Sequence, residues 1–484
     1  MKYDYIVIGA GSSGLAFAAL MEKRGHSVLI LEAHSIPGGS SSYFCRDGFT
    51  FDAGATTLSG LLPGRPLEQL ITELDLDLNL VPVNPGIVTM INEDTINHFK
   101  DNGQWIEELS KVFPNINHKT FWGQLKKIEI AGWKLSSTFR NFPIRGLRSI
   151  LALFKIDLFK ALFVLPHLKK SVESELKKFN IEDERYLSLI NERLFITSQN
   201  SAKDTPLLMG AMGLCYPEDT AYAMGGMKAF CESIEKKCSN IKYKQLVKRI
   251  RPHKMGADGF SVETGKETFE AKKVVSTIPY WNHKDMFEAD TAQEFFHTDT
   301  VTDPDNCWSA FMIYLTIPLD PNRVGQYFQI HCESIPHCHS RSFFVSLSHP
   351  EDQTRSINGR QTVTISTHTH TKNWLSLGRE DYLKQKEKVK YFILKEFQLK
   401  FKLSEADMEN VITGTPKTFY NYTKRYRGLV GGIPHSLRRS PKDFLIARSP
   451  YRNFYMIGDT QYPGQGIASV ILGAQNLVRH LTRS

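Results

Sequence analysis

Tyr5-Ile6-Val7-Ile8-Gly9-Ala10-Gly11-Ser12-Ser13-Gly14 decides the fold of this 484-residue chain. An apolar run of strand length feeds a GxGxxG turn, and Leu15 to Arg24, rich in Ala and Leu, follows as a helix. Gly9 permits the tight turn, Gly11 lets the backbone approach a pyrophosphate, and Gly14 lets the helix lie close on the strand. The N-terminal amides of that helix, Ser13 among them, then face the phosphates. A second strand, Ser27 to Leu31, ends at Glu32, an acid spaced to accept hydrogen bonds from an adenosine ribose. An ordinary glycine turn would explain the glycines, but not strand, helix, second strand and terminal acid together. The expectation is a dinucleotide site in an α/β fold.

A second glycine-rich segment, Gly458-Asp459-Thr460-Gln461-Tyr462-Pro463-Gly464-Gln465-Gly466-Ile467-Ala468-Ser469, lies near the other end. Phe454 to Ile457 reads as a short strand, and Ile467 to Leu481 as a helix with apolar residues at Ile467, Val470, Ile471, Ala474, Leu477 and Val478. An acid at a strand end beside a helix start puts an acceptor next to a positive dipole end. Taken alone, the segment also fits a plain strand-to-helix turn.

Between these ends, Pro37-Gly38-Gly39-Ser40-Ser41-Ser42 is a further Gly-rich loop, followed by Arg46-Asp47-Gly48-Phe49-Thr50-Phe51-Asp52-Ala53-Gly54. Together these motifs resemble the FAD-containing amine oxidase, phytoene desaturase and carotenoid isomerase superfamily, in which a GG loop follows the ribose acid and an FDxG segment passes the flavin ring. The resemblance implies FAD as cofactor, with Glu32, Ala33, Gly38, Gly39 and Ser40 on its nucleotide half and Gly54, Ala55 and Thr56 near the ring. It further implies that Gly458 and Asp459 hold the ribityl and phosphate part. Gly466, Ile467 and Ala468 would turn helix amides toward the pyrimidine edge, where a reduced flavin collects negative charge. Two more blocks extend the likeness. Ala221 to Met227 opens a helix through Ile234, Lys244 to Ile250 reads as a strand, further strands are expected at Phe260 to Glu263 and Val274 to Pro279, and Val247 is the implied adenine contact, though it also fits as strand core. Thr415-Pro416 through Tyr420, Tyr422, Arg425, Arg427 and Gly428 to Pro434 resembles the signature of carotenoid desaturases and isomerases.

The resemblance implies a Rossmann-like FAD-binding domain with an interleaved α+β substrate-binding domain. The expected boundaries are 1–79, 217–281 and 411–484 for the first, and 80–216 and 282–410 for the second. The stretch from Leu80 to Tyr216 reads as mostly helical, while Trp308 to Ile317, Phe343 to Leu347 and Val363 to His368 read as strands that cover the flavin face and leave an apolar pocket.

Ser40-Ser41 after the GG pair matches carotenoid isomerases, whereas desaturases and amine oxidases of the superfamily carry Arg there; retinol saturases also lack it. The expected activity is therefore oxidoreductase chemistry on a lipophilic polyene: desaturation, saturation or isomerisation. Two alternatives stay open, a flavin amine oxidase and a non-catalytic lipid-binding escort like the Rab GDP-dissociation inhibitors. For the amine reading, Tyr462, Tyr420 and Tyr422 are the candidate cage aromatics. No acid–base or nucleophile constellation stands out, so catalysis is assigned to the cofactor and no catalytic residue is named.

Composition narrows the setting. Hydrophobic residues make up 41% of the chain, which excludes disordered and collagen-like classes. The 60 Lys and Arg exceed the 51 Asp and Glu, for a net charge of +9, but no nucleic-acid module accompanies that excess. Phe142 to Lys170 mixes Leu, Ile and Phe with Lys and Arg, fitting either an interfacial membrane segment or core helices. Seven scattered cysteines and no visible signal peptide lead to a cytoplasmic expectation, with peripheral membrane contact as the variant. His331, Cys332, His337, Cys338 and His339 match no standard metal spacing, so no metal is expected. His368 and His370 read as a solvated strand face, and nothing bears on oligomeric state.

Overall fold

The computed structural model describes residues 2–138, 163–253, 259–296, 302–439 and 451–482. Its first strand, Lys2–Ile8, pairs in parallel with Val28–Leu31 on one side and with Thr268–Ser276 on the other. Phe454–Met456 adds to Thr268–Ser276, also in parallel, so the two glycine segments leave strands that both pair with Thr268–Ser276 in one seven-stranded sheet. The antiparallel strands Val247–Pro252 and Phe260–Thr264 complete one edge, and Ile241–Lys242 the other.

The helix Ser12–Glu22 is buried around nearly its whole circumference, with Leu15, Ala16, Phe17, Ala18, Ala19 and Leu20 inaccessible to solvent. Such all-round apolarity requires cover on every side. The sheet supplies one side, and Ile471, Ala474, Leu477 and Val478 of the terminal helix Ile467–Leu481 supply another. Each Leu or Phe so buried contributes about 1.5–3 kcal/mol. Gly14 is the close-contact point, since a Cβ there would lie 2.1 Å from the Gly9 carbonyl oxygen.

A second, eight-stranded sheet runs in the order Glu409–Gly414, Ser309–Pro318, Arg360–Thr369, Ser342–Leu347, Tyr327–His331, Ile87–Ile91 and Asp94–His98, with Ser356–Ile357 as a side strand. Period-two alternation divides its faces. Phe311, Ile313, Leu315 and Ile317 lie against Val389, Ile393, Phe397 and Phe401 of the helix Arg379–Phe401. Ala310, Met312 and Tyr314 face the opposite way, toward Phe49, Phe51 and Phe419. The helices Asn102–Val112, His118–Thr138, Glu184–Ser198 and Leu207–Leu214 enclose a separate core around Trp105, Phe121, Trp122 and Leu189.

Three local expectations change. The stretch from Leu80 opens with strands, Leu80–Pro82 and the hairpin Ile87–Ile91 with Asp94–His98, because the hairpin finds a parallel partner in Tyr327–His331. The helix expected from Ala221 starts at Gly226; Ala221–Ala223 is a strand paired with Leu80–Pro82, and Gly225 and Gly226 turn the chain with φ of 85° and 64°. The strand expected through Pro279 ends at Ser276. Most of the Phe142 to Lys170 segment lies outside the described residues. Among the described residues no helix is long and apolar enough to cross a membrane.

Candidate functional site

A cavity of about 930 Å³ lies between the two sheets. Gly9, Gly11, Ser13, Glu32, Ala33, Gly38, Gly39, Ser40, Gly54, Ala55, Thr56, Val247, Gly458, Asp459, Gly466, Ile467 and Ala468 all line it. Gly14 does not, since it faces the strand behind the turn.

The glycines shape the nucleotide end. Gly11 caps the first helix in an extended conformation, and a Cβ there would meet no protein atom within 4 Å. Gly38 has φ of 110° and gives its N–H to the Ala10 carbonyl at 2.8 Å, which locks the two glycine loops together. Ser13 Oγ and Ser40 Oγ are buried at this end without a hydrogen-bond partner among the described residues. Unpaired buried hydroxyls beside a helix N-terminus are what an anionic phosphate would satisfy. Glu32 is held in place by the Ala10 and His34 amides, each 2.7 Å from one carboxylate oxygen. Each oxygen retains a further lone pair, so the carboxylate can still accept from a ribose hydroxyl.

At the other glycine segment, Asp459 accepts a hydrogen bond from Arg425 Nη2 at 2.5 Å, and Arg425 Nε donates to the Leu429 carbonyl. The signature arginine thus fixes the strand-end acid. The Ala53 carbonyl accepts from Tyr314 Oη at 2.6 Å, the Thr56 carbonyl accepts from Tyr327 Oη, and Thr56 Oγ1 lies 2.6 Å from Ser346 Oγ. The second sheet therefore holds Ala53 to Thr56 in position. Behind this segment Asp52 and Arg355, both inaccessible, form a 2.9 Å ion pair. Asp52 also accepts from the Met227 amide, and Tyr222 Oη links Arg355 to Asp352. Sequence reasoning missed Arg355, Asp352 and the role of Arg425, because no local pattern marks partners so distant in the chain.

The remainder of the cavity is walled by Trp133, Ile196, Met209, Met212, Met312, Phe344 and Ile412. Among the described residues its carboxylates are Glu32 and Asp459 alone, both already engaged. His368, expected on a solvated face, lines the cavity instead, because its strand packs against the strand Phe49–Asp52. Burial lowers its pKa to about 4, and that of His435, also lining the cavity, to about 3. His370 and His339 flank the Trp308 ring at 4.1 and 4.2 Å, whereas His331 bonds Ser188 Oγ. The candidate cage does not assemble. Tyr462 donates to Ser136 Oγ away from the cavity lining, Tyr420 is exposed, and Tyr422 lies at the His34 end.

The model of the family described as flavin containing amine oxidoreductase matches residues 12–476. The chain belongs to this family. It is an FAD-dependent oxidoreductase, and the orphaned serine hydroxyls, the open Gly11 and the fixed Glu32 fit that cofactor. This oxidoreductase is 28% identical to a prolycopene isomerase of Daucus carota, over 97% of its own length and 78% of the relative's. It is 26% identical to a prolycopene isomerase of Arabidopsis thaliana, over 97% and 80%. A shorter match, 40% over 16% of this chain and 13% of the relative, is to an all-trans-retinol 13,14-reductase of Homo sapiens. Among solved structures, a putrescine oxidase variant superposes with a TM-score of 0.66 at 13% identity, covering 100% of both chains. That likeness confirms the fold.

Proposed function

We propose that this oxidoreductase acts on a lipophilic polyene of carotenoid or retinoid type, and that its reaction is cis–trans isomerisation. The observation that carries the reading is the apolar part of the cavity, continuous with the nucleotide end and without a free carboxylate. A protonated amine desolvated there would need a carboxylate to pair with, and among the described residues both lining carboxylates are already engaged. A polyene needs only apolar walls and alignment with the cofactor. The relatives matched over nearly the full chain bear isomerase names, which favours isomerisation over net redox change.

Within this reading, Ser13, Ser40 and the amides after Gly11 bind the pyrophosphate, and Glu32 the ribose. Arg425 fixes the Asp459 carboxylate, which would hold the ribityl chain. Val247 would hold the adenine side, and the helix amides at Ile467 and Ala468 would stabilise negative charge on the pyrimidine edge. FAD supplies reversible uptake and return of a hydride or electron. Met209, Met212, Met312 and Phe344 exclude water and align the polyene.

The test uses purified holoprotein and poly-cis carotenoids under anaerobic reducing conditions, with products separated by chromatography and mass. Isomers of unchanged mass are expected. A product differing by two hydrogens would transfer the reading to a desaturase or saturase, and turnover of amines but not polyenes would sink it.

A further inference from the structure

Among the described residues, Ser13, Ser40 and Gln199 in the cavity lining each carry a buried polar atom without a hydrogen-bond partner. The two serines belong to the phosphate end, but Gln199 does not. It follows the helix Glu184–Ser198 and enters the cavity with Ile196 and Thr197, from the side that carries Met209 and Met212.

Its geometry is tightly held. Gln199 is 3% exposed and adopts φ of 54°, which a non-glycine residue takes up only when its surroundings enforce it. Trp308 Nε1 donates to its carbonyl at 2.6 Å. Its side-chain Nε2 donates to the Val430 carbonyl at 2.9 Å and to Gln465 Oε1 at 2.7 Å. Gln465 in turn donates Nε2 to the Ile196 carbonyl. Two acceptors on one side orient the Gln199 amide nitrogen toward them and leave Oε1 on the other side, without a partner. Gly431 makes room for the pair, since a Cβ there would lie 1.8 Å from Gln199 Nε2. A buried carbonyl oxygen left unpaired costs about 1–3 kcal/mol, so a position this constrained calls for a donor.

We propose that Gln199 Oε1 is the acceptor for a hydroxyl carried by the substrate, so that the preferred substrate is an alcohol-bearing polyene rather than a pure hydrocarbon. The inference rests on the polyene reading above and narrows it. The shared chemistry is a single O–H or N–H donor, and the competing source is the imide N–H of the flavin.

Two measurements separate these. Holoprotein is titrated with a hydroxylated carotenoid and with its hydrocarbon parent, following the flavin spectrum, and kcat/KM is measured for both. Wild type is expected to bind the alcohol about tenfold or more tightly. Gln199→Met is expected to bring that ratio close to one, chiefly through KM for the alcohol, with FAD content unchanged. Equal binding of alcohol and hydrocarbon by wild type overturns the proposal. So does a Gln199→Met protein that keeps the preference, or one whose FAD affinity falls while the preference persists, which assigns the oxygen to the flavin. If Gln199→Met does not fold, the wild-type comparison decides alone: a preference of about tenfold for the alcohol supports the subsite, and equal binding overturns it. Preferential binding of the alcohol without isomerisation would remove the isomerase reading and leave this subsite standing.

Discussion

At Gly11 and Gly14 the same added methyl group meets opposite surroundings. Alanine at Gly14 would drive its Cβ into the Gly9 carbonyl, and backbone on both sides cannot rotate away. Gly14→Ala is expected to destabilise the protein by about 1–3 kcal/mol or more, read as a lowered melting temperature even without FAD. Gly11 has φ of −69°, which alanine adopts readily, and its methyl would point into open cavity. Gly11→Ala is expected to melt within a degree or so of wild type while binding FAD at least about tenfold more weakly, measured by flavin titration. Both glycines were legible in the sequence because their task is local, set by three or four neighbours. Arg425 stood in a recognised signature, but its pairing with Asp459 was not legible, since side-chain direction after a turn is a tertiary property. Gln199 carried no signal at all; its importance comes from a left-handed helix end and a partner, Gln465, in the distant C-terminal glycine segment.

Element boundaries followed the same division. Strands whose two faces are both buried, such as Ser309–Pro318, were visible as apolar runs. The hairpin Ile87–Ile91 with Asp94–His98 was not, because its polar positions, including Thr89 and His98, are buried against Arg193. The loop beyond Ser342–Leu347 has a comparable hidden task, for it brings Arg355 onto the strand Phe49–Asp52. Burial pushes the Asp52 carboxyl upward and the Arg355 charge pulls it down. Replacing Arg355 by Met would leave that carboxylate without its cation, at a cost of about 3–5 kcal/mol. The expected result is a lower urea midpoint for Arg355→Met, partly recovered in the Asp52→Asn, Arg355→Met double variant. Equal midpoints for the single variant and wild type would remove the pair as the link between the sheets.

Over the whole molecule, several imidazoles are folded away in neutral form. Burial lowers His283 to about 4 and His331 to about 3, from an ordinary value of 6.5. His98, stacked on Trp105 beside Arg193, is also displaced downward. The unfolded chain binds protons at these groups below about pH 6.5, and the folded chain does not until about pH 3 to 4. Their contribution is therefore fully present above pH 6.5 and is lost as pH falls through that window. Melting temperature measured across this range should drop steadily on acidification, and His283→Gln should flatten part of the drop. Gly458, Asp459 and Gln465 to Val470 line one wall of the cavity, and the helix Ile467–Leu481 covers one side of the first helix. While that last segment is still inside the ribosome, the emerging chain displays an apolar helix uncovered on one side and half a cofactor cradle. Flavin loading must then await the emergence of that segment, and the waiting intermediate is the species a chaperone would meet.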